Sequence, residues 1–183
     1  MLRALRLGDA GVHTAALADT DIEVRITAVR ALVSVDAVTE LSVAAADPAR
    51  EVRVAVARGL AAVHAPVPAP LDPLLDDADS LVRGAALATT GRPPRYAASA
   101  EDALDDPAWQ VRAGAATALR AAPPAQAVPA PAKALTDPRA DVRKAAVLFL
   151  LPHHADAEAR TALATATTDP DADIRAYASR AAS

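Results

Sequence analysis

One pattern constrains this chain more than any other. An Asp, five further residues and then an Arg, with Val or Ile directly before the Arg, occurs six times. The copies are Asp19 and Arg25, Asp47 and Arg53, Asp77 and Arg83, Asp106 and Arg112, Asp137 and Arg143, and Asp169 and Arg175. Successive arginines lie 28, 30, 29, 31 and 32 residues apart. So regular a period marks stacked supersecondary units, none of which can bury its apolar face alone.

Composition narrows what those units are. Apolar residues make up 52% of the 183-residue chain, yet aromatics only 2%. The core must come from Ala, Leu and Val, which lets short helices approach closely, and Ala is the best helix former. Val and Ile stand singly at helical spacing, as in Val52, Val56 and Leu60, not in alternating runs. The fold expected is all-α: a right-handed α-solenoid of about six helical hairpins in one domain, 1–183. Its repeats fall near 1–35, 36–64, 65–92, 93–122, 123–152 and 153–183.

The second helix of each hairpin carries the Arg: about 22–35, 49–63, 79–90, 108–121, 140–151 and 172–182. Val24, Ala28, Ala31 and Leu32 are expected inward in the first of these, and Asp36 reads as the N-cap of the next helix. First helices are shorter. Proline restricts the residue before it and cannot donate the helical hydrogen bond. That compresses two of them to about 71–76 and 132–136, where some 3₁₀ character is expected.

The motif Asp-x4-(Val/Ile)-Arg, followed by small residues and then usually Leu, resembles the short bacterial HEAT repeat, a class also seen in phycobilin lyase subunits. Asp47, Val52, Arg53, Val56 and Leu60 carry the likeness, as do Asp106, Val111, Arg112, Ala115 and Leu119. A second resemblance is to the leucine-rich variant repeat, which alternates α-helices with 3₁₀-helices. The first implies HEAT-like hairpins along nearly the whole chain. It says little about function, because the matching positions are those that build a stack.

The Asp/Arg pairs read as a structural ladder, in which each Asp ends a first helix or caps a turn and each Arg reaches an adjacent repeat. His13, His64, His153 and His154 have no metal-ligand spacing, and there is no Cys, so no metal site and no cofactor are expected. Paired carboxylates such as Asp76-Asp77 and Asp105-Asp106 sit in turns. No phosphate loop or nucleophile elbow occurs, and no catalytic residue is nominated.

The open stripe of the second helices remains. It lies three residues before, one after and five after each Arg, and the resemblance implies that it lines a concave face. It reads Ile22, Ile26, Arg30; Arg50, Val54, Arg58; Ser80, Gly84, Ala88; Trp109, Ala113, Thr117; Ala140, Lys144, Leu148; and Ala172, Ala176, Arg180. Trp109, the only tryptophan, with Arg50, Arg58, Ser80, Gly84, Ala113, Lys144 and Arg180, is the candidate binding set, since Trp and Arg anchor interfaces. The rival reading packs Trp109 against the small residues of the preceding repeat.

The function expected is a non-catalytic scaffold that holds a protein or peptide. The alternatives are a lyase-like enzyme or accessory that handles a small molecule or chromophore, and a DNA-binding, alkylpurine glycosylase-like protein. A net charge of −4 and a pI near 5.5 argue against nucleic acid. No signal-like or membrane-length apolar run appears, so the expected location is the cytoplasm. Arg outnumbers Lys 17 to 2 and Asn is absent, which suggests a bacterial source. Ile174, Tyr177, Ala178 and Ala181 are expected to need cover at the last repeat, by a partner or by end-to-end pairing with a second copy.

Overall fold

The computed structural model describes residues 10–64, 68–90, 97–119 and 128–181. Among these residues the only regular elements are helices. They form two compact units, one running to Thr89 and the other from Thr90.

In the first unit, α1 (residues 10–16) precedes α2 (Ile22–Ser34), α3 (Val38–Ala44), α4 (Arg50–Gly59), α5 (Pro68–Leu75) and α6 (Ser80–Thr89). A 3₁₀ turn, Leu60–Ala62, extends α4. The Arg-bearing helices α2, α4 and α6 pack side by side, and α3 packs on α5 behind them. Val29, Leu32, Leu41, Val52, Val56, Leu71, Leu74 and Val82 are buried between the two rows.

The second unit repeats the arrangement with α7 (Ala97–Asp102), α8 (Trp109–Ala118), α9 (Pro129–Ala134), α10 (Ala140–Leu150), α11 (Ala157–Ala166) and α12 (Ala172–Ser179). Helix α8 packs on α10 and α10 on α12, with α9 and α11 behind. Val147, Phe149, Leu150, Leu163 and Ile174 lie in its core.

The Asp/Arg pattern holds neighbouring hairpins together. Arg112 donates from Nη1 to the carbonyls of Asp106 and Pro107, at 2.9 and 3.1 Å, in the turn of its own repeat. Its Nε and Nη2 then grip both carboxylate oxygens of Asp137, at 2.6 and 3.0 Å, in the turn of the next. Asp137 Oδ1 also accepts the backbone N–H of Arg139 at 2.8 Å. The same two-pronged clamp joins Arg25 to Asp47, Arg53 to Asp77 and Arg143 to Asp169. Pro follows the Asp of the turn at 48, 107, 138 and 170, where its fixed φ stiffens the turn whose carbonyls the Arg needs.

These are sheltered, bidentate, charge-assisted contacts, stronger than a surface ion pair. The hydrogen bond from Arg53 holds the Asp77 carboxyl below the usual carboxylate range, and Arg143 does the same for Asp169. At Asp137 burial pushes the pKa up, but the bonds from Arg112 and the Arg139 N–H outweigh it and the net direction is down.

Five local expectations are corrected. Helix α5 begins at Pro68, not near Leu71, and α9 at Pro129, not near Ala132. In both, a Pro-Ala-Pro run occupies the first three helical positions, where N–H groups have no intrahelical acceptor and their loss costs nothing. Asp36 is not an N-cap. It sits at φ 56° and closes α2: the Ala37 N–H bonds to Leu32 O and the Asp36 N–H to Val33 O, the Schellman arrangement. Its side chain accepts the His64 N–H at 3.0 Å. Val24 is 38% exposed, not inward. Ile174 and Ala178, expected to need cover, are already buried in the core of the second unit.

Candidate binding surface

The clamps fix the register of the second helices and so decide which side chains meet across their open surface. Aligning repeats on the clamp arginines puts Arg50 and Trp109 at one position, three residues before Arg53 and Arg112. The residue two beyond the clamped Asp of the next repeat faces that position.

In the first unit this gives an ion pair: Arg50 Nη1 lies 3.5 Å from Asp79, while its Nε donates to Glu51 at 3.1 Å. In the second unit it gives a stack: the Arg139 guanidinium lies 4.6 Å from the centre of the Trp109 ring. Trp109 is half-buried, so it is neither sealed in the core nor free. A guanidinium over an indole face is held by the ring quadrupole, worth about 0.5–1 kcal/mol at an exposed site.

Further along the second unit, Lys144 bonds to Asp173 at 2.7 Å. That bond raises the Lys144 pKa and lowers that of Asp173. Lys144 and Arg180 lie 5.6 and 5.4 Å from the centre of the Tyr177 ring. Ala113 is half-buried, and Thr117 turns its hydroxyl back to the Ala113 carbonyl at 2.9 Å. Trp109, Arg139, Lys144, Tyr177 and Arg180, with Asp141 and Asp173 beside Arg139 and Lys144, therefore give α8, α10 and α12 an aromatic and mixed-charge surface.

In the first unit Arg50 and Arg58 are exposed and Ser80 is half-buried, but Gly84 is buried, as is Ile26 of the expected stripe. Arg139 and Tyr177 were outside the candidate set. The signal for Arg139 was present: it occupies the position of Asp79 when the copies are aligned on their clamp arginines.

A recess of about 450 Å³ lies at the turns of the second unit, lined by Leu104, Asp105, Arg112, Lys133 and Asp137 among others. Its charges are matched among themselves, Lys133 to Asp105 at 2.9 Å and Arg112 to Asp137 at 2.6 Å. Among the described residues no three His, Cys, Asp or Glu converge as a metal site, and no helix is long and apolar enough to cross a membrane.

The family model for HEAT repeats matches residues 97–183. That stretch belongs to the HEAT-repeat family. The earlier copies carry the same clamp in the same place, and the solved structures extend the fold to them. Escherichia coli YibA is similar at 20% identity over 96% of this chain and 71% of its own, with a TM-score of 0.68. A designed armadillo repeat protein in complex with the peptide (KR)4 is similar at 19% identity over 93% and 96% of the two chains, with a TM-score of 0.62. Computationally designed armadillo repeat proteins for modular peptide recognition give 20%, 93%, 97% and 0.58 in the same terms. At these identities the likeness is one of fold: the chain is a HEAT/armadillo-type repeat scaffold. No curated protein matches the sequence.

Proposed function

We propose that this HEAT-type scaffold is non-catalytic and holds an extended peptide segment of a protein partner on the open surface of its second helices. The observation that carries the reading is Trp109. A large aromatic side chain in a chain with 2% aromatics lies half-exposed on that surface, with Arg139 stacked over its ring. Trp and Arg at a partly desolvated spot are the residue types that anchor interfaces. The fold supports the same reading, because designed armadillo repeat proteins of this architecture were made for peptide recognition.

The test is selection of a displayed random peptide library on the immobilised full-length chain, followed by affinity measurement on wild type and Trp109→Ala. Selected peptides should bind the variant at least tenfold more weakly, with thermal unfolding little changed. Peptides that bind both equally would remove Trp109 from the site, and a library that yields no binder would end the reading.

A further inference from the structure

In the first unit, Arg30 on α2 and Arg58 on α4 occupy one position, five residues beyond the clamp arginines Arg25 and Arg53. Both are exposed. Neither takes part in an ion pair among the described residues, unlike Arg25, Arg50 and Arg53. Their helices are close-packed: a Cβ added at Gly59 would meet Val33 Cγ2 at 2.5 Å. Helices in such contact lie roughly 8–10 Å apart, so positions 30 and 58 lie side by side on neighbouring helices.

Acidic residues are scarce around them. No Asp or Glu occurs in 27–34, 54–60 or 84–89, the C-terminal halves of α2, α4 and α6. The acidic groups of these helices sit at their N-terminal ends, as Asp21, Glu23, Glu51 and Asp79, apart from Asp36 just past the end of α2, whose carboxylate meets His64. Of these, Glu51 and Asp79 are engaged by Arg50. The helix dipole favours a cation in a last turn and so accounts for Arg58. It does not account for Arg30, which lies further inside α2.

We propose that Arg30 and Arg58 anchor an acidic peptide segment. The inference rests on the peptide-binding reading and gives the partner its chemistry. A guanidinium fork matches a carboxylate through two parallel hydrogen bonds. A polyproline II-type extended chain has three residues per turn and advances roughly 3.1 Å per residue, so carboxylates three residues apart share a face and meet arginines about one interhelical distance apart. The surface thus selects against a basic peptide such as the (KR)4 held by the designed armadillo protein.

The experiment is fluorescence polarisation at low salt with the full-length chain and three labelled peptides: repeating Glu-Ser-Thr, repeating Gln-Ser-Thr, and (KR)4. Wild type should bind the Glu peptide at least tenfold more tightly than either control. The double variant Arg30→Gln/Arg58→Gln should lose at least tenfold for the Glu peptide while keeping its thermal unfolding midpoint, since both side chains are exposed. The charge-reversed pair Arg30→Glu/Arg58→Glu should turn the preference towards (KR)4. Equal binding of Glu and Gln peptides, preference of wild type for (KR)4, or an unchanged affinity in the double variant would each overturn the acidic anchor. So would the failure of all three peptides to bind. In every one of these cases the library selection still decides separately whether the scaffold binds peptides at all.

Discussion

Asp137 shows why single residues carry so much of this structure. Its two oxygens take two bonds from Arg112 and one from the Arg139 N–H. Truncating it to Ala leaves Arg112 sheltered and without its carboxylate. A lost bond to a charged group costs roughly 1.5–3 kcal/mol, and more where a charge is left buried. Asp137→Ala is therefore expected to lower stability by about 2–3 kcal/mol, read as a shift in the urea midpoint. Asp36→Ala keeps the left-handed strain that an L residue carries and loses the bond to the His64 N–H, an expected cost of about 1 kcal/mol; Asp36→Gly loses the same bond but relieves about 1–2 kcal/mol of strain and should be the more stable of the two. The clamp residues were plain in the sequence, because a fixed spacing of six recurs with the same side chains. The two-pronged geometry was not. Which carbonyls the Arg reaches depends on the turn, and they prove to belong to its own repeat. The partner of Trp109 was hidden for a related reason: Arg139 is 30 residues away, and only the register set by Arg112 and Asp137 brings it over the ring.

At the scale of elements, helix identity followed from periodicity, and helix boundaries failed where proline was read too simply. Pro68, Pro70, Pro129 and Pro131 occupy first-turn positions in α5 and α9, where they are harmless. Pro73 is different. It lies inside α5 and exposed, where it cannot donate to the Ala69 carbonyl. Pro73→Ala restores that donor and is expected to raise stability by about 1 kcal/mol, reduced from the full helix-interior penalty by the greater freedom of the unfolded chain. Gly59→Ala tests the opposite case. Ala is the better helix former by about 1 kcal/mol, but the new methyl meets the stiff, branched Val33 at 2.5 Å. Overpacking of this kind costs roughly 1–3 kcal/mol, so the variant should be net destabilised in a thermal melt. Isoleucine and valine positions were harder to place at the first repeat, where a stripe that is inward elsewhere leaves Val24 exposed.

For the molecule as a whole, the clamps make stability depend on carboxylate charge. Asp77, Asp137 and Asp169 titrate below their ordinary range in the folded chain. A depressed folded pKa contributes stability that is complete above the unfolded value, about 3.9 for Asp, and is lost as pH falls through the lower folded values. The arginines of the clamps shift upward. Their contribution is complete at all pH values below the ordinary Arg range and adds no slope near neutrality. The urea midpoint should therefore stay level between about pH 7 and 5 and fall below about pH 4. Asp137→Asn should show a shallower acid decline than wild type.

The binding reading has a built-in reporter, because Trp109 is the only tryptophan in the chain and lies half-exposed on the proposed surface. Its emission can be followed while a library-selected peptide without tryptophan is titrated in. Peptide binding over Trp109 should give a saturable change in its emission that follows binding measured by polarisation, with affinity at least tenfold weaker in Trp109→Ala. Saturable binding by polarisation with no change at Trp109, and with the same affinity in the variant, would contradict it.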